Sequence, residues 1–583
     1  MTAAPNTCSS ARRAPSPVVP ALGLKRLRRL IVVPRLVARS TRLRGVWLVL
    51  AMVGCEDFPD APTSTVTVQQ PPGAPWPQEL FVKDTSLLTI NVADEAGTVI
   101  TGLQVQWQSS DASVLEVRPV EPAGQTHEDS LVAQRSVRIV AQRRGKATIS
   151  ARNIQAGIES VTLSQEVRVM ERWIAVSAGS SHSCGITIDH DAFCWGTGLL
   201  GNGSAAGSVI PVPVGRGLKF RSLTAGDGHT CGVLLDHTVQ CWGSNGNGEL
   251  GTGGVGDQAL PVLLSGISIL DSVFAGDGYV CGVSATNSTF CWGTNAKWQL
   301  GDGFIRPFSP PNGRPEPAFD DCGILFPSLC SRRPRPVRDR GSPAAEDGVP
   351  LALSSVAPAV THTCALRLPG AAVCWGEGSV QLGSGVALTT DSSSAEAFVS
   401  VPGGLAFQHI AAGDRHTCAV GRSDGIVYCW GFNSHGQLGT ATPDSTCKTQ
   451  SIPPVVGCSR SPTAAFRGLR SVSVFAGGNS TCALASDSAG YCWGSNEFGQ
   501  LGDPTAGGAC DAGTACRSSA VKVDIGGEPL VSLSVGATHV CAVTARGAAI
   551  CWGDSSKGRL GRKSVNGTGV VGPSRVDEPE QEE

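Results

Sequence analysis

Residues 229–243 read HTCGVLLDHTVQCWG, and close copies of this phrase recur along the 583-residue chain. Two cysteines stand ten residues apart, with His-Thr before the first and Trp-Gly after the second. Such cysteines can be metal ligands, catalytic thiols or disulfide partners, and each role predicts a different fold and compartment. The number and spacing of the copies favour one of these roles.

All of the 22 cysteines except Cys8 and Cys55 fall into close pairs. Seven pairs belong to the repeated phrase and three lie in insertions: Cys184 with Cys194, Cys231 with Cys241, Cys281 with Cys291, Cys364 with Cys374, Cys418 with Cys429, Cys482 with Cys492 and Cys541 with Cys551, then Cys322 with Cys330, Cys447 with Cys458 and Cys510 with Cys516. Even pairing at fixed spacing predicts ten disulfides in an oxidising compartment. The residues between the cysteines surround a polar turn, as in a β-hairpin, and directly opposed hairpin residues suit a disulfide.

A histidine stands two residues before the first cysteine in five of the repeats: His182, His229, His362, His416 and His539. Imidazole and thiolate are good zinc ligands, but the third repeat has Tyr279 there and the spacing does not bring four ligands together. No cysteine stands apart from the pattern as a catalytic thiol does. We therefore expect no metal and no cofactor, and we interpret the histidines as hydrogen-bonding residues at turns or between repeats.

The full repeat is longer than the cysteine hairpin. A strand precedes the hairpin, a turn ending in Leu-Gly follows it, and a further strand opens the next copy, which gives about four short strands per unit. Repeated four-stranded units indicate a β-propeller. One tryptophan per repeat is predicted to pack blade against blade: Trp195, Trp242, Trp292, Trp375, Trp430, Trp493 and Trp552.

The segment HTCAV…YCWGFNSHGQLG, residues 416–439, resembles the repeat of the regulator of chromosome condensation family in a bacterial, cysteine-bearing form. The seven copies match the seven blades of that family. The resemblance therefore implies a seven-bladed propeller over residues 171–578, followed by an acidic tail at 579–583. We expect residues 570–583, whose VVGPSRVDEP resembles the opening strand of a repeat, to pair into the first blade and latch the ring.

The segment before the propeller contains three predicted parts. Residues 1–54 end in a basic stretch and a short apolar run, which is typical of an export signal rather than a membrane span. The MVGC ending resembles a bacterial lipobox, which implies lipidation of Cys55; an ordinary cleaved signal is the alternative. Residues 55–65 are rich in Pro and Thr and indicate a tether. Residues 66–170 contain alternating patterns, VQWQSSDASVLEV at 105–117 and GKATISA at 145–151, that resemble a bacterial Ig-like domain. The fold class is therefore all-β: a propeller with an N-terminal Ig-like β-sandwich.

Charge limits the choice of partner. The residues before Cys55 include ten Lys or Arg and no Asp or Glu, whereas the rest of the chain has 36 basic and 48 acidic residues. A phosphate-backbone binder needs a basic face, so we expect no nucleic-acid partner. One insertion, SRRPRPVRDR at residues 331–340, is basic; its arginines are candidates for an anionic partner or are simply solvated: Arg332, Arg333, Arg335, Arg338 and Arg340.

Three functions remain open at this stage. The preferred one is a monomeric, exported, lipid-anchored binding protein of the bacterial cell envelope, or a secreted one. We expect its insertions, residues 302–350, 440–465 and 503–520, to be long loops that meet an unknown protein or surface glycan. The family resemblance implies guanine-nucleotide exchange, which needs a cytosolic GTPase. The third is an extracytoplasmic propeller hydrolase, lyase or enzyme inhibitor. Motifs of common hydrolases and phosphate-binding loops are absent from the sequence, so we do not expect an enzyme.

A peptide map of the exported protein under non-reducing conditions tests the cysteine assignment. We expect the ten pairs above to appear as linked peptides and Cys55 to be the lipid-bearing first residue. A reduced sample is the control. Free motif cysteines in freshly exported protein would overturn the assignment.

Overall fold

The computed structural model describes residues 67–579 apart from short gaps. The gaps are 72–74, 94–95, 97, 101–103, 122–134, 155–160, 268, 303–319, 322–328, 339–350, 379, 386–397, 449–454, 504, 506–507, 511–512 and 564–569. The predicted export signal, Cys55, the tether and residues 580–583 lie outside the described residues. The described elements are forty strands and one 3-10 turn, so the all-β prediction is confirmed. Within these described residues, no helix is long and apolar enough to cross a bilayer.

Nine strands before residue 171 form the N-terminal double sheet. They are β1 (Thr67–Gln69), β2 (Glu79–Phe81), β3 (Thr85–Thr89), β4 (Asn91–Ala93), β5 (Val105–Ser109), β6 (Leu115–Pro119), β7 (Ser136–Ala141), β8 (Gly145–Asn153) and β9 (Thr162–Met170). One sheet has the order β2-β9-β8-β5 and the other β3-β7-β6, with β1 paired to β4. Ile149 and Val167 from the first sheet share one buried core with Leu88 and Ile139 from the second.

The remaining strands form seven antiparallel sheets, here called blades 1 to 7 in chain order. Blade 1 is β10 (Trp173–Ala178), β11 (His182–Thr187), β12 (Ala192–Gly196) and β13 (Ser208–Pro213); blade 2 is β14 (Phe220–Ala225), β15 (His229–Leu234), β16 (Val239–Gly243) and β17 (Gln258–Leu263); blade 3 is β18 (Ser272–Ala275), β19 (Tyr279–Val283), β20 (Thr289–Thr294), β21 (Asp320–Asp321) and β22 (Leu329–Pro336); blade 4 is β23 (Leu353–Pro358), β24 (His362–Arg367), β25 (Ala371–Gly376) and β26 (Val399–Ser400). Blade 5 is β27 (Phe407–Ala412), β28 (His416–Gly421), β29 (Val427–Phe432), β30 (Ser445–Lys448) and β31 (Val455–Phe466); blade 6 is β32 (Ser471–Gly477), β33 (Ser480–Ala485), β34 (Gly490–Ser495), β35 (Gly508–Ala509) and β36 (Ala515–Lys522); blade 7 is β37 (Leu530–Val535), β38 (His539–Thr544), β39 (Ala549–Asp554), the 3-10 turn Ser556–Gly558 and β40 (Val570–Arg575). Hydrogen bonds from blade 1 to blade 7, such as Ala178 N to Ser534 Oγ at 2.9 Å, close the ring.

The motif tryptophans lie at the seams between blades, and all seven are at most 2% exposed. Six of them donate from Nε1 across the seam to the carbonyl that precedes the Leu-Gly pair of the previous blade, at 2.8–3.0 Å; Trp242 is the exception. The glycine of that pair lies against the same indole. A methyl group on Gly251, for example, would lie 3.0 Å from Trp292. Each seam therefore requires both the large indole ring of the tryptophan and a glycine beside it, because any side chain at the glycine position would collide with its neighbours.

Two expectations about chain segments are wrong. Residues 570–575 form β40 and pair with β39 inside blade 7, so they do not complete the first blade, whose outer strand is β13. The described parts of the insertions are not free loops either: β21, β30 and β35 each add a fifth strand outside blades 3, 5 and 6. The spacing of a repeat does not specify which neighbour an extra strand will pair with, so the sequence could not decide either point.

Two glycine substitutions separate seam packing from backbone strain. Gly251 and Gly266 both have positive φ, +63° and +84°, but a methyl group on Gly251 would lie 2.4 Å from Leu264, whereas one on Gly266 meets nothing within 4 Å. Gly251→Ala should therefore lower the free energy of unfolding by about 1–3 kcal/mol more than Gly266→Ala, the cost typical of overpacking. Guanidinium unfolding of the oxidised protein measures the difference. Equal losses for the two variants would show that the seam is loosely packed.

Candidate functional site

The central hairpin of every blade carries its predicted cysteine pair. The two cysteines of each motif pair are opposed in the strand register, with Cα atoms 4.0–4.1 Å apart, and the structure joins them by a disulfide. From blade 1 to blade 7 these bridges join Cys184 to Cys194, Cys231 to Cys241, Cys281 to Cys291, Cys364 to Cys374, Cys418 to Cys429, Cys482 to Cys492 and Cys541 to Cys551. Each bridge therefore crosslinks the second and third strands of one blade.

The insertions carry disulfides as well. Cys447 is joined to Cys458 and Cys510 to Cys516, at Cα distances of 5.9 and 6.0 Å. Cys330 is disulfide-bonded, and its predicted partner Cys322 lies outside the described residues. The nine pairs whose two cysteines are both described are thus the pairs that the spacing predicts.

Four of the five motif histidines form hydrogen bonds between blades, as we interpreted them from the sequence, whereas both ring nitrogens of His229 are buried without such a partner. The Nε2 atoms of His182, His362 and His416 lie 2.7–3.0 Å from a threonine hydroxyl of the next blade, and that of His539 lies 2.6 Å from Ser183 Oγ. In the third repeat, Tyr279 replaces the histidine and its hydroxyl lies 2.8 Å from Thr363 Oγ1. The remaining two seams present a valine, Val280 or Val540, at the hydroxyl position.

These contacts define the state of the imidazoles. Thr481 donates its hydroxyl proton to Gln437 O at 3.0 Å, so it accepts from His416 Nε2–H. Burial lowers the pKa of His182 and His229 to about 4 and that of His362, His416 and His539 to about 3. The five rings are therefore neutral at neutral pH, and they serve packing and hydrogen bonding rather than acid–base chemistry.

An axial pocket of about 250 Å³ lies where the innermost strands of all seven blades end. Its wall contains Gly179, Gly226, Gly276, Gly413 and Gly536. The glycines are required because neighbouring blades meet here through their backbones: a methyl group on Gly536 would lie 2.3 Å from Gly179 O. The pocket is thus a fixed concavity built from main chain.

Three carboxylates enter this pocket from the residue that follows the glycine: Asp227, Asp277 and Asp414. Burial, together with the neighbouring Asp227, raises the pKa of Asp277 to about 6. Burial also raises the pKa of Asp414, against the opposing effect of Arg415. Among the described residues, His, Cys, Asp and Glu form no group of three that suits a metal ion. The pocket is chemically suited to a cationic organic group such as an ammonium or guanidinium.

The candidate arginines lie elsewhere. Arg332, Arg333 and Arg335 belong to β22, the fourth strand of blade 3, rather than to a loop. Arg333 is exposed and Arg332 and Arg338 are half-buried, while Arg335 Nε donates to Ser331 Oγ at 3.0 Å. Arg332 O accepts from Gly253 N of blade 2, so this strand also helps to join two blades. Arg340 lies outside the described residues.

The axial carboxylates were not predicted as a site. A comparison of the residue after Ala-Gly across the repeats shows an aspartate three times, in AGDGHT, AGDGYV and AGDRHT. That comparison would have found the three residues. Their convergence on one pocket follows only from closure of the ring.

Comparison with known proteins supports the repeat assignment. Models of the regulator of chromosome condensation (RCC1) repeat match residues 173–202, 220–249, 407–437, 472–500 and 530–559, and a further one matches residues 424–484. The ultraviolet-B receptor UVR8 of Arabidopsis thaliana is 32% identical over 232 residues, which cover 38% of this chain and 46% of the receptor. The chain spans less than half the length of the curated relatives it matches.

Two solved structures of yeast Prp20 share the fold. The Prp20 of Saccharomyces cerevisiae, described with its binding to Gsp1p and histones, has a TM-score of 0.50 and 20% identity over 70% of this chain and 88% of that one. Yeast RCC1 (Prp20) bound to Kap60 gives the same TM-score and identity over 67% and 84%. At this identity the likeness concerns the fold alone.

The buried histidines predict loss of stability in acid. Their folded pKa values lie below the ordinary value near 6.5, so the unfolded chain takes up protons first as the pH falls. The stability that they contribute is complete above pH 6.5 and is lost between there and pH 3–4, by about 2 kcal/mol per histidine at pH 5. The slope of the free energy of unfolding against pH reports how many protons the chain takes up on unfolding, and His416→Gln should reduce that number by about one. An unchanged slope would mean that His416 is already protonated in the folded state.

The five segments matched by the shorter repeat model fall in blades 1, 2, 5, 6 and 7, and each covers the cysteine hairpin of its blade. The further match, residues 424–484, runs from blade 5 into blade 6. The chain thus contains RCC1 repeats arranged in an RCC1-like propeller.

Proposed function

We propose that this chain is a binding protein of an oxidising, extracytoplasmic compartment, in which a rigid propeller presents its axial pocket to a protein partner. The buried disulfides are the observation that carries the proposal. In the cytosol such thiols would be kept reduced, whereas small exported domains commonly depend on disulfides. Export through residues 1–54, a lipid on Cys55 and a bacterial cell-envelope or secreted location are parts of the same proposal.

The chemistry of the axial pocket favours a basic side chain of the partner as the bound group. Asp227, Asp277 and Asp414 converge on a concavity whose other lining residues are mainly glycine and alanine, so a lysine or arginine side chain can enter it. Partly desolvated carboxylates bind cations more strongly than exposed ones do. We therefore propose a protein partner ahead of a neutral surface glycan. The yeast protein of the same fold, whose structure was solved with Kap60, also binds a protein.

We propose that the N-terminal double sheet is a bacterial Ig-like domain. No cysteine occurs between residues 56 and 183, so the double sheet has an apolar core but no disulfide of its own. Guanine-nucleotide exchange is disfavoured under this proposal, because a GTPase of the cytosol would not meet an exported protein.

Charge-neutralising variants of the pocket test the proposal with pentalysine as the probe. Asp227→Asn, Asp277→Asn and Asp414→Asn together should weaken pentalysine binding at least about tenfold at 0.15 M salt, where long-range attraction is screened. Isothermal titration measures the affinity of the oxidised, full-length protein.

The control has the same change in net charge at turns away from the pocket: Asp236→Asn, Asp487→Asn and Asp524→Asn. It should bind pentalysine as the unmodified protein does. Equal weakening by both triple variants, or no weakening by the pocket variant, would refute the axial site. Neither result would bear on the proposed compartment, which the peptide map tests separately.

A further inference from the structure

The seam between blade 7 and blade 1 differs from the other six. Along the chain, the outer part of each blade leads directly into the inner strand of the next blade, so those six seams are connected covalently. Blade 7 is the last blade, and both it and blade 1 are built from consecutive strands. Within the described ranges, no strand crosses this seam. A closed ring can therefore open here without unfolding any blade, and opening exposes the faces that propellers must keep covered.

The direct contacts at this seam are of the same kind as those elsewhere. Ala178 N donates to Ser534 Oγ at 2.9 Å, just as Ala225 N donates to Ser177 Oγ at 2.9 Å between blades 1 and 2. Trp195 Nε1 donates to Arg559 O at 2.9 Å, as the equivalent tryptophans do. Blade-to-blade packing alone thus does not compensate for the missing chain connection.

The N-terminal double sheet contacts blade 7 through an apolar cluster. Phe81 of β2 is 2% exposed and packs with Met170 and Ala548 rather than with the core of its own sheets. Arg546 and Arg575 of blade 7 place their guanidinium carbons 5.6 and 5.8 Å from the centre of the Phe81 ring. The cluster therefore belongs to the interface with blade 7.

Polar contacts surround this cluster. Glu79 forms an ion pair with Arg575 at 2.8 Å. After β40, the chain continues along the double sheet, where Glu171 N donates to Glu578 Oε2 at 3.0 Å and Arg144 Nη1 donates to Pro579 O at 3.1 Å. Exposed ion pairs contribute little stability, so these contacts orient the interface, while burial of the Phe81 ring supplies apolar stabilisation.

The same double sheet also contacts blade 1. Lys83 forms an ion pair with Asp189 in the β11–β12 turn, and the Arg144 guanidinium lies 6.0 Å from the ring of Phe193. The connecting residue Arg172 pairs with Asp84 at 2.9 Å and lies against Gly547 of blade 7, where a methyl group would lie 2.5 Å from its Cγ. The double sheet and the residue that connects it to the propeller therefore contact both sides of the seam.

We propose that the N-terminal double sheet is an intramolecular clasp that keeps the propeller closed at the seam between blades 7 and 1. It takes the place of the expected pairing between residues 570–575 and the first blade, which the structure does not have. The double sheet is then part of the ring's closure and not only a spacer on the tether. This role is independent of the partner bound in the axial pocket.

Hydrogen exchange at equivalent amides tests the clasp in the oxidised full chain. Phe81→Asp should speed exchange of the Ala178 amide, at the unconnected seam, by at least about tenfold, because local opening sets the exchange rate. The Ala225 and Ala275 amides, which make the same hydrogen bond at the next two seams, should keep their rates. Leu87→Asp, at an exposed position of β3, is the control and should change none of them.

A charge-reversal pair provides a second measurement in case Phe81→Asp does not fold. Glu79→Arg alone and Arg575→Glu alone should each speed exchange at Ala178, and the two together should restore it. Unchanged exchange at Ala178 in all of these variants would overturn the clasp. An equal increase at Ala178, Ala225 and Ala275 would do the same, because it would mean general destabilisation instead of opening at one seam.

Discussion

The rest of the structure depends on the contact between neighbouring blades, which has a similar geometry at each seam. The second and third strands of most blades are buried along nearly their whole length, so both faces of the blade need a cover. At each seam, an indole from one blade lies on the Leu-Gly glycine of the previous blade, and six of the seven indoles donate to the carbonyl before it. Because no blade can bury both faces alone, closure of the ring is a condition for the stability of every blade.

The disulfides and the histidines serve this arrangement in different ways. In blade 5, the bridge from Cys418 to Cys429 holds two strands of one blade, whereas His416 beside it bonds to the next blade. The first stabilises the hairpin by restricting the unfolded chain, and the second fixes blade orientation through a neutral, buried donor. The disulfides require an oxidising compartment, and the neutral histidines require a pH near neutrality. The proposed function therefore links the fold to the compartment.

The sequence could predict whatever is local and repeated. Cysteine separation, the tryptophan in every copy and the Leu-Gly turn all lie within one repeat, so the number of hairpins and the seam-packing tryptophans were accessible. Residues 570–575 and the inserted strands β21, β30 and β35 were assigned incorrectly, since their partners depend on which edge is free in three dimensions. The axial pocket and the contact between Phe81 and Ala548 join residues far apart in sequence, and no pattern in a single chain signals such contacts.

Removal of one blade tests most directly whether the blades depend on a closed ring. A chain that ends after Asp524 lacks blade 7 but keeps the first six blades with all of their disulfides. Calorimetry of this oxidised chain should show no cooperative unfolding of the propeller, because blades 1 and 6 would each have an uncovered face. A sharp transition with the enthalpy expected for six intact blades would contradict the account, since it would mean that an open array is stable without closure.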